Sequence, residues 1–121
     1  MKTISVPLQN RSYPIWIENG LLKTLPELLQ PLNLGQIWVI FSQEEIYSHY
    51  GNIINDSLQS GGFKTIYIPL SEGEDAKSFS TMENVFSQLL AHDCDRSCTF
   101  LSLGGGVVGD IVGFLAATFM R

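Results

Sequence analysis

Gly104, Gly105, Gly106 and Gly109, with Asp110 directly behind them, are the residues whose type and spacing could do chemistry. They sit in the stretch Leu103-Gly104-Gly105-Gly106-Val107-Val108-Gly109-Asp110, between an apolar strand-like run and a helix-like segment. Lacking a Cβ, such a corner lets the backbone approach a ligand closely. The free N–H groups and positive dipole end of the following helix then favour a phosphate. Written Gly104-x-Gly106-x-x-Gly109, the run also satisfies the dinucleotide fingerprint. A second reading stands beside this one, because glycines at a strand-to-helix corner can serve tight packing alone. Three in a row weigh against it, since each costs backbone entropy and a plain turn needs few of them.

A second polar group lies at Glu72-Gly73-Glu74-Asp75-Ala76-Lys77, after another strand-like run. In a parallel sheet the loops at the carboxyl ends of the strands share one edge, where ligands bind. The two loops are therefore expected to face a common crevice. A carboxylate such as Glu74 can accept both hydroxyls of a ribose, and Lys77 can donate to ribose oxygens or phosphate. The negative charges are expected at the ribose end, some distance from the phosphates. Equally, Glu72, Glu74 and Asp75 could simply favour a helix N-terminus, with Lys77 as a surface partner.

The elements that must hold these loops follow an alternating pattern. Residues 2–8 and 13–18 read as a β-hairpin, with Tyr13, Ile15 and Ile17 on one side. Thr24-x-x-Glu27 is a capping-box pattern for a short helix that Pro31 ends. From residue 36 onward, strand and helix alternate. Ile37-Trp38-Val39-Ile40-Phe41 is an apolar run suited to a strand buried on both faces. Ser42 with Glu45 predicts a capped helix whose stripe is Ile46, Tyr50, Ile53, Ile54 and Leu58, closed by Gly61-Gly62. A strand at 65–69, a helix from about 78 to 91 and a strand at 98–102 come next. The last helix is expected over residues 107–121. This pattern predicts an α/β protein: a Rossmann-like parallel sheet with helices on both faces, preceded by an N-terminal β-hairpin.

Bulk properties narrow the classes. The 121 residues suit one domain, and 45% hydrophobic with 16% charged residues is a globular composition. A net charge of −5 with seven Lys and Arg argues against nucleic acid as a partner. No apolar stretch reaches membrane-spanning length, and the reading is of a cytoplasmic protein with no membrane partner. Cys94 and Cys98 fit neither the usual redox spacing nor zinc pairs, and read as free thiols. His49 and His92 lack partners at metal-ligand spacing, so no metal site is expected here. The final helix carries no capping glycine or polar tail, and its residues are small or apolar nearly all round. It is expected to be buried on several sides, with the chain cut in mid-protein.

Taken together, Glu72-Gly73-Glu74-x-x-Lys77-Ser78 and Gly104-Gly105-Gly106-Val107-Val108-Gly109-Asp110-x-x-Gly113-Phe114-x-Ala116-Ala117-x-x-x-Arg121 closely resemble 3-dehydroquinate synthase. The similarity runs along residues 1–121 as the NAD-binding N-terminal domain, about a third of the usual enzyme, without the family's helical C-terminal domain. A looser Gly-Gly-Gly version occurs in glycerol and iron-dependent alcohol dehydrogenases, and inosose- and valiolone-forming cyclases are closer kin. The resemblance implies NAD as cofactor, a sugar-phosphate substrate, a homodimer, and a divalent metal, zinc or cobalt, whose ligands lie outside this chain. By position, Glu74 and Lys77 would contact the adenosine ribose, within a loop comprising Glu72, Gly73, Glu74, Asp75, Ala76 and Lys77. Gly104, Gly105, Gly106, Val107, Val108 and Gly109 would form the pyrophosphate cradle, with Asp110 near the nicotinamide ribose. Arg121 would meet the substrate phosphate, and Gln43 stands where relatives often carry Asp or Asn at the cofactor. No catalytic residue is assigned within this stretch. A related cyclase, an alcohol dehydrogenase of the superfamily, and a non-enzymatic nucleotide-binding module are the alternatives.

Overall fold

The computed structural model describes residues 1–120; Arg121, the expected substrate-phosphate contact, lies outside the described residues. The chain opens with an antiparallel hairpin, β1 (Lys2–Val6) and β2 (Tyr13–Ile17), in which Lys2 pairs with Ile17 and Val6 with Tyr13. Residues directly opposite share a face, so Ile4, Tyr13, Ile15 and Ile17 lie on one side, and all four are exposed. A 3-10 turn at Leu21–Thr24 leads into the short α1 (Leu25–Leu29).

The second sheet begins with β3 (Ile37–Gln43), followed by α2 (Glu44–Ser60) and β4 (Lys64–Leu70). A 3-10 turn at Gly73–Ala76, α3 (Phe79–Ala91), β5 (Thr99–Leu103) and α4 (Gly106–Thr118) complete it. All three strands run parallel in the order β4-β3-β5. The central strand is buried along nearly its whole length, as its unbroken apolar run predicts. Its alternate residues feed two cores. Val39 and Phe41 pack with Ile68, Val85, Leu89, Ile111 and Leu115, beneath α3 and α4. Trp38 and Ile40 pack with Ile54, Leu58 and Phe63, beneath α2. The α/β architecture with helices on both faces is therefore as expected. With β3 central, the helices following β3 and β5 leave toward opposite faces. The gap between those strand ends is the topological switch point where open α/β sheets bind ligands.

Three local expectations need correction. Ser42 does not cap α2: the strand continues through Gln43, and the buried Ser42 hydroxyl donates to the Leu103 carbonyl at 2.7 Å. Thr24 precedes α1 but its hydroxyl donates backwards to the Leu21 carbonyl at 3.2 Å, because a 3-10 turn already occupies that segment. The last helix stops at Thr118, short of residue 121. There Phe119 turns to an extended conformation and packs its ring against Phe86 and Phe100. That aromatic docking ends the helix without a glycine or proline. Within the described residues this helix buries the stripe Val108, Ile111, Val112 and Leu115 and exposes Gly109, Gly113 and Phe114.

Candidate functional site

The glycine loop emerges from β5 at the switch point. Gly104 has φ +155°, and a Cβ there would come within 2.7 Å of Val108 Cγ2 and 3.3 Å of Ile46 Cδ1. Folding alone therefore demands this glycine. Its neighbours differ. A Cβ on Gly105, Gly106 or Gly109 would meet nothing within 4 Å, so packing does not explain them. Gly105 occupies the N-cap of α4 in an extended conformation, and no side chain caps the helix. The first N–H groups of α4 are thus left to an external acceptor, over open space. Val107 is half-buried, and Val108 is fully buried in the core, where its side chain anchors the first turn.

The second loop reaches the same place. Gly73 takes φ +63°, bending the chain out of β4 into the 3-10 turn. Ala76 is fully buried and pins that turn against α4. Lys77 then extends across the gap: its Nζ lies 2.8 Å from Asp110 Oδ2 and 3.4 Å from Glu74 Oε2. The hydrogen bond that Lys77 donates to Asp110 is the main reason its ammonium is held above its ordinary pKa, with the charges of Asp110 and Glu74 adding to it. Two loops separated by almost thirty positions of sequence meet through one ammonium group. The lysine and its carboxylates sit at the first turns of the glycine helix, closer to the phosphate cradle than the sequence reading had them.

The remaining expected residues are less central. Glu72 turns the other way, its Oε1 3.4 Å from the Glu45 backbone N–H at the start of α2, which fits the helix-terminus reading of that charge. Asp75 is exposed to solvent. Gln43 is only 9% exposed, and its Nε2 donates to the Ser71 carbonyl at 2.9 Å. It ties the end of β3 to the start of the second loop. Sequence reasoning missed an apolar wall beside the bridge. Ser78, Phe79, Met82, Ile111 and Phe114 line a cavity of about 260 Å³ with Lys77 and Asp110. Phe79 is 87% exposed, directly after the lysine loop, an odd place for a phenyl ring unless something covers it.

The residues present fit a dinucleotide: open glycines and an uncapped helix start for phosphates, charged and hydroxyl-accepting groups next to them, and an apolar wall for a ring. Among the described residues, no group of three or more His, Cys, Asp or Glu side chains is arranged to hold a metal.

Known proteins resemble this chain along its whole length. The sequence family described as 3-dehydroquinate synthase N-terminal matches residues 67–121, which include both loops. Over 121 residues the chain is 41% identical to the 3-dehydroquinate synthase of Syntrophotalea carbinolica, covering 100% of this chain and 33% of the relative. Along its whole length the chain is therefore similar to 3-dehydroquinate synthases. A second relative, the 3-dehydroquinate synthase of Rippkaea orientalis, is 41% identical over 98% of this chain and 32% of its own length. The chain thus spans about a third of the length of the curated relatives it matches. Its fold superimposes on a crystal structure of 2-deoxy-scyllo-inosose synthase with a TM-score of 0.84 at 17% identity, covering 98% of this chain and 33% of the other. Another crystal structure of 2-deoxy-scyllo-inosose synthase, complexed with carbaglucose-6-phosphate, NAD+ and Co2+, gives 0.82 at 17% identity, over 98% and 32%.

Proposed function

We propose that this chain is the NAD-binding part of a 3-dehydroquinate synthase. The whole enzyme would convert 3-deoxy-D-arabino-heptulosonate 7-phosphate to 3-dehydroquinate and phosphate. The course would be transient oxidation, phosphate elimination, re-reduction and intramolecular aldol closure. The observation that carries this reading is the bridge from Lys77 to Asp110, which joins the two loops over glycines that packing leaves unexplained. NAD, when bound, would supply a reversible hydride acceptor that is restored within each turnover. In this chain, the backbone N–H groups of Gly105, Gly106 and Val107 would bind the pyrophosphate, and Gly109 would keep the approach open. Glu74 and Lys77 would orient the adenosine ribose, and Asp110 would accept from the nicotinamide ribose. Gln43 would hold the second loop in register through Ser71.

The divalent metal, zinc or cobalt, would be held by residues outside this chain, and Arg121 would meet the substrate phosphate in a homodimer. The NAD+ and Co2+ bound by the structurally similar inosose synthase support this cofactor pair. That same similarity favours one second reading, a sister sugar-phosphate cyclase acting on a different sugar phosphate. The 41% identity to synthases over the full chain, against 17% to the inosose synthase, favours the first. A cytoplasmic setting suits the biosynthetic role; among the described residues no helix is long and apolar enough to cross a membrane.

The test is phosphate release. The whole protein with NAD and a divalent metal should release phosphate from the heptulosonate phosphate with no net accumulation of NADH. Net NADH production would point to a dehydrogenase and overturn the reading. Residues 1–121 alone should bind NAD but release no phosphate.

A further inference from the structure

The α3–β5 connection brings the chain's two cysteines together. Cys94 follows the helix, with its N–H bonded to the Leu89 carbonyl at 3.0 Å after Asp93 takes a left-handed φ of +57°. Asp95 then accepts from both the backbone N–H and the hydroxyl of Ser97, which tightens the next turn. Cys98 closes it, its N–H bonded to the Asp95 carbonyl at 3.2 Å. The turn thus brings both sulfurs to one packed cluster, Cys94 within it and Cys98 against it. Cys94 is 3% exposed, within the core beneath α3 and α4. Cys98 packs against that core but also lines a cavity of about 620 Å³ at the edge where β3 and β5 begin, together with Gly35, Asp95 and Phe100. This cavity lies at the opposite end of the strands from the glycine loop, so the nucleotide site makes no use of either sulfur.

We propose that Cys94 and Cys98 form a reversible intrachain disulfide, with a hydroperoxide as oxidant. Cys98 reacts first, because it alone reaches solvent. Its thiolate attacks a peroxide oxygen, the O–O bond breaks, and hydrogen peroxide leaves one water and a sulfenic acid on Cys98. The Cys94 sulfur then attacks the Cys98 sulfur, the S–O bond breaks, and the Cys94 proton departs with the hydroxyl as a second water. Two thiols lose two electrons, and one peroxide becomes two waters. Burial, together with the Cys98 contact and the nearby Asp95 and Asp93 charges, pushes the Cys94 thiol up to about 12. It therefore stays protonated until the sulfenic acid forms next to it, and the two cysteines keep distinct roles.

Peptide mapping tests this directly on the protein with its other residues intact. Trypsin cuts after Arg96, between the two sulfurs, giving peptides 78–96 and 97–121. After brief treatment with hydrogen peroxide and alkylation, these peptides should remain linked, with the loss of both alkylatable thiols. Dithiothreitol should separate them and restore both. In Cys94→Ala the oxidation should stop at a Cys98 sulfenic acid that dimedone traps, and in Cys98→Ser the Cys94 thiol should survive the same dose unmodified. NAD affinity should be unchanged in Cys98→Ser, which shows that the variant is folded. Separate, doubly alkylated peptides from the oxidised natural protein would overturn the proposal, as would oxidation of Cys94 in Cys98→Ser.

Discussion

At the scale of single residues, the four glycines of one loop divide into two kinds. Gly104 is required by the fold, because any side chain would strike Val108. Gly104→Ala should therefore lower stability by about 1–3 kcal/mol, the usual cost of overpacking, in a urea titration. Gly106 faces open space. Gly106→Val should leave the melting temperature nearly unchanged while abolishing NAD binding by calorimetry, since the valine would occupy the phosphate path. Retained affinity would remove this loop from the site. Lys77→Ala should weaken NAD binding by about tenfold or more, as expected when one charge-assisted hydrogen bond is lost. Its pH dependence has a defined sign. Asp110 raises the Lys77 pKa, so the bridge is intact through the neutral range and is lost only as pH climbs through that elevated value. NAD affinity that depends on Lys77 should follow the same course, and the Lys77→Ala protein should lack it.

At the scale of elements, the ends of β3 and β5 are held together by one buried hydroxyl. Ser42 donates to the Leu103 carbonyl immediately before the glycine loop. Ser42→Ala should cost about 1–3 kcal/mol of stability, because it leaves a carbonyl without its partner. The same change should loosen the cradle, which hydrogen exchange at residues 103–107 would register. The α3–β5 connection offers a second measurement. Cys94 is raised from its ordinary 9.0 to about 12, so folding holds its proton more tightly than the unfolded chain does. The associated stability is fully present below about pH 9 and falls as pH rises toward 12. Denaturant titrations across that range should show a steeper alkaline loss in the natural protein than in Cys94→Ala.

At the scale of the molecule, the two cores beneath the three-stranded sheet contain no residue from the hairpin. The β1–β2 unit is a separate sheet whose principal contacts are internal. Deleting residues 1–18 should leave the parallel sheet folded, with a melting temperature lowered by no more than about 4–8 °C, the shift of roughly 1 kcal/mol in a domain of this size. Loss of cooperative unfolding in that deletion would show that the hairpin supports the sheet after all. The exposed Ile4, Tyr13, Ile15 and Ile17 on the hairpin, and Phe79 and Phe114 beside the bridge, are among the large apolar side chains that the described fold leaves exposed.

Local pattern alone determined the strand-helix alternation, the central buried strand, and the glycine corner at a helix start. Each depends on neighbours close in sequence: apolar periodicity, turn residues and the lack of a Cβ. Ser78, where the helix was expected to begin, caps α3, its hydroxyl accepting from the Thr81 N–H at 3.2 Å. Tertiary structure decided what the polar and terminal groups do, because their partners lie on other elements. Ser42 bonds to Leu103, Gln43 to Ser71, and Phe119 ends a helix by docking on Phe86 and Phe100. Lys77 found Asp110 only when the parallel sheet carried both loops to one edge, a contact fixed by strand order and invisible in any window of sequence.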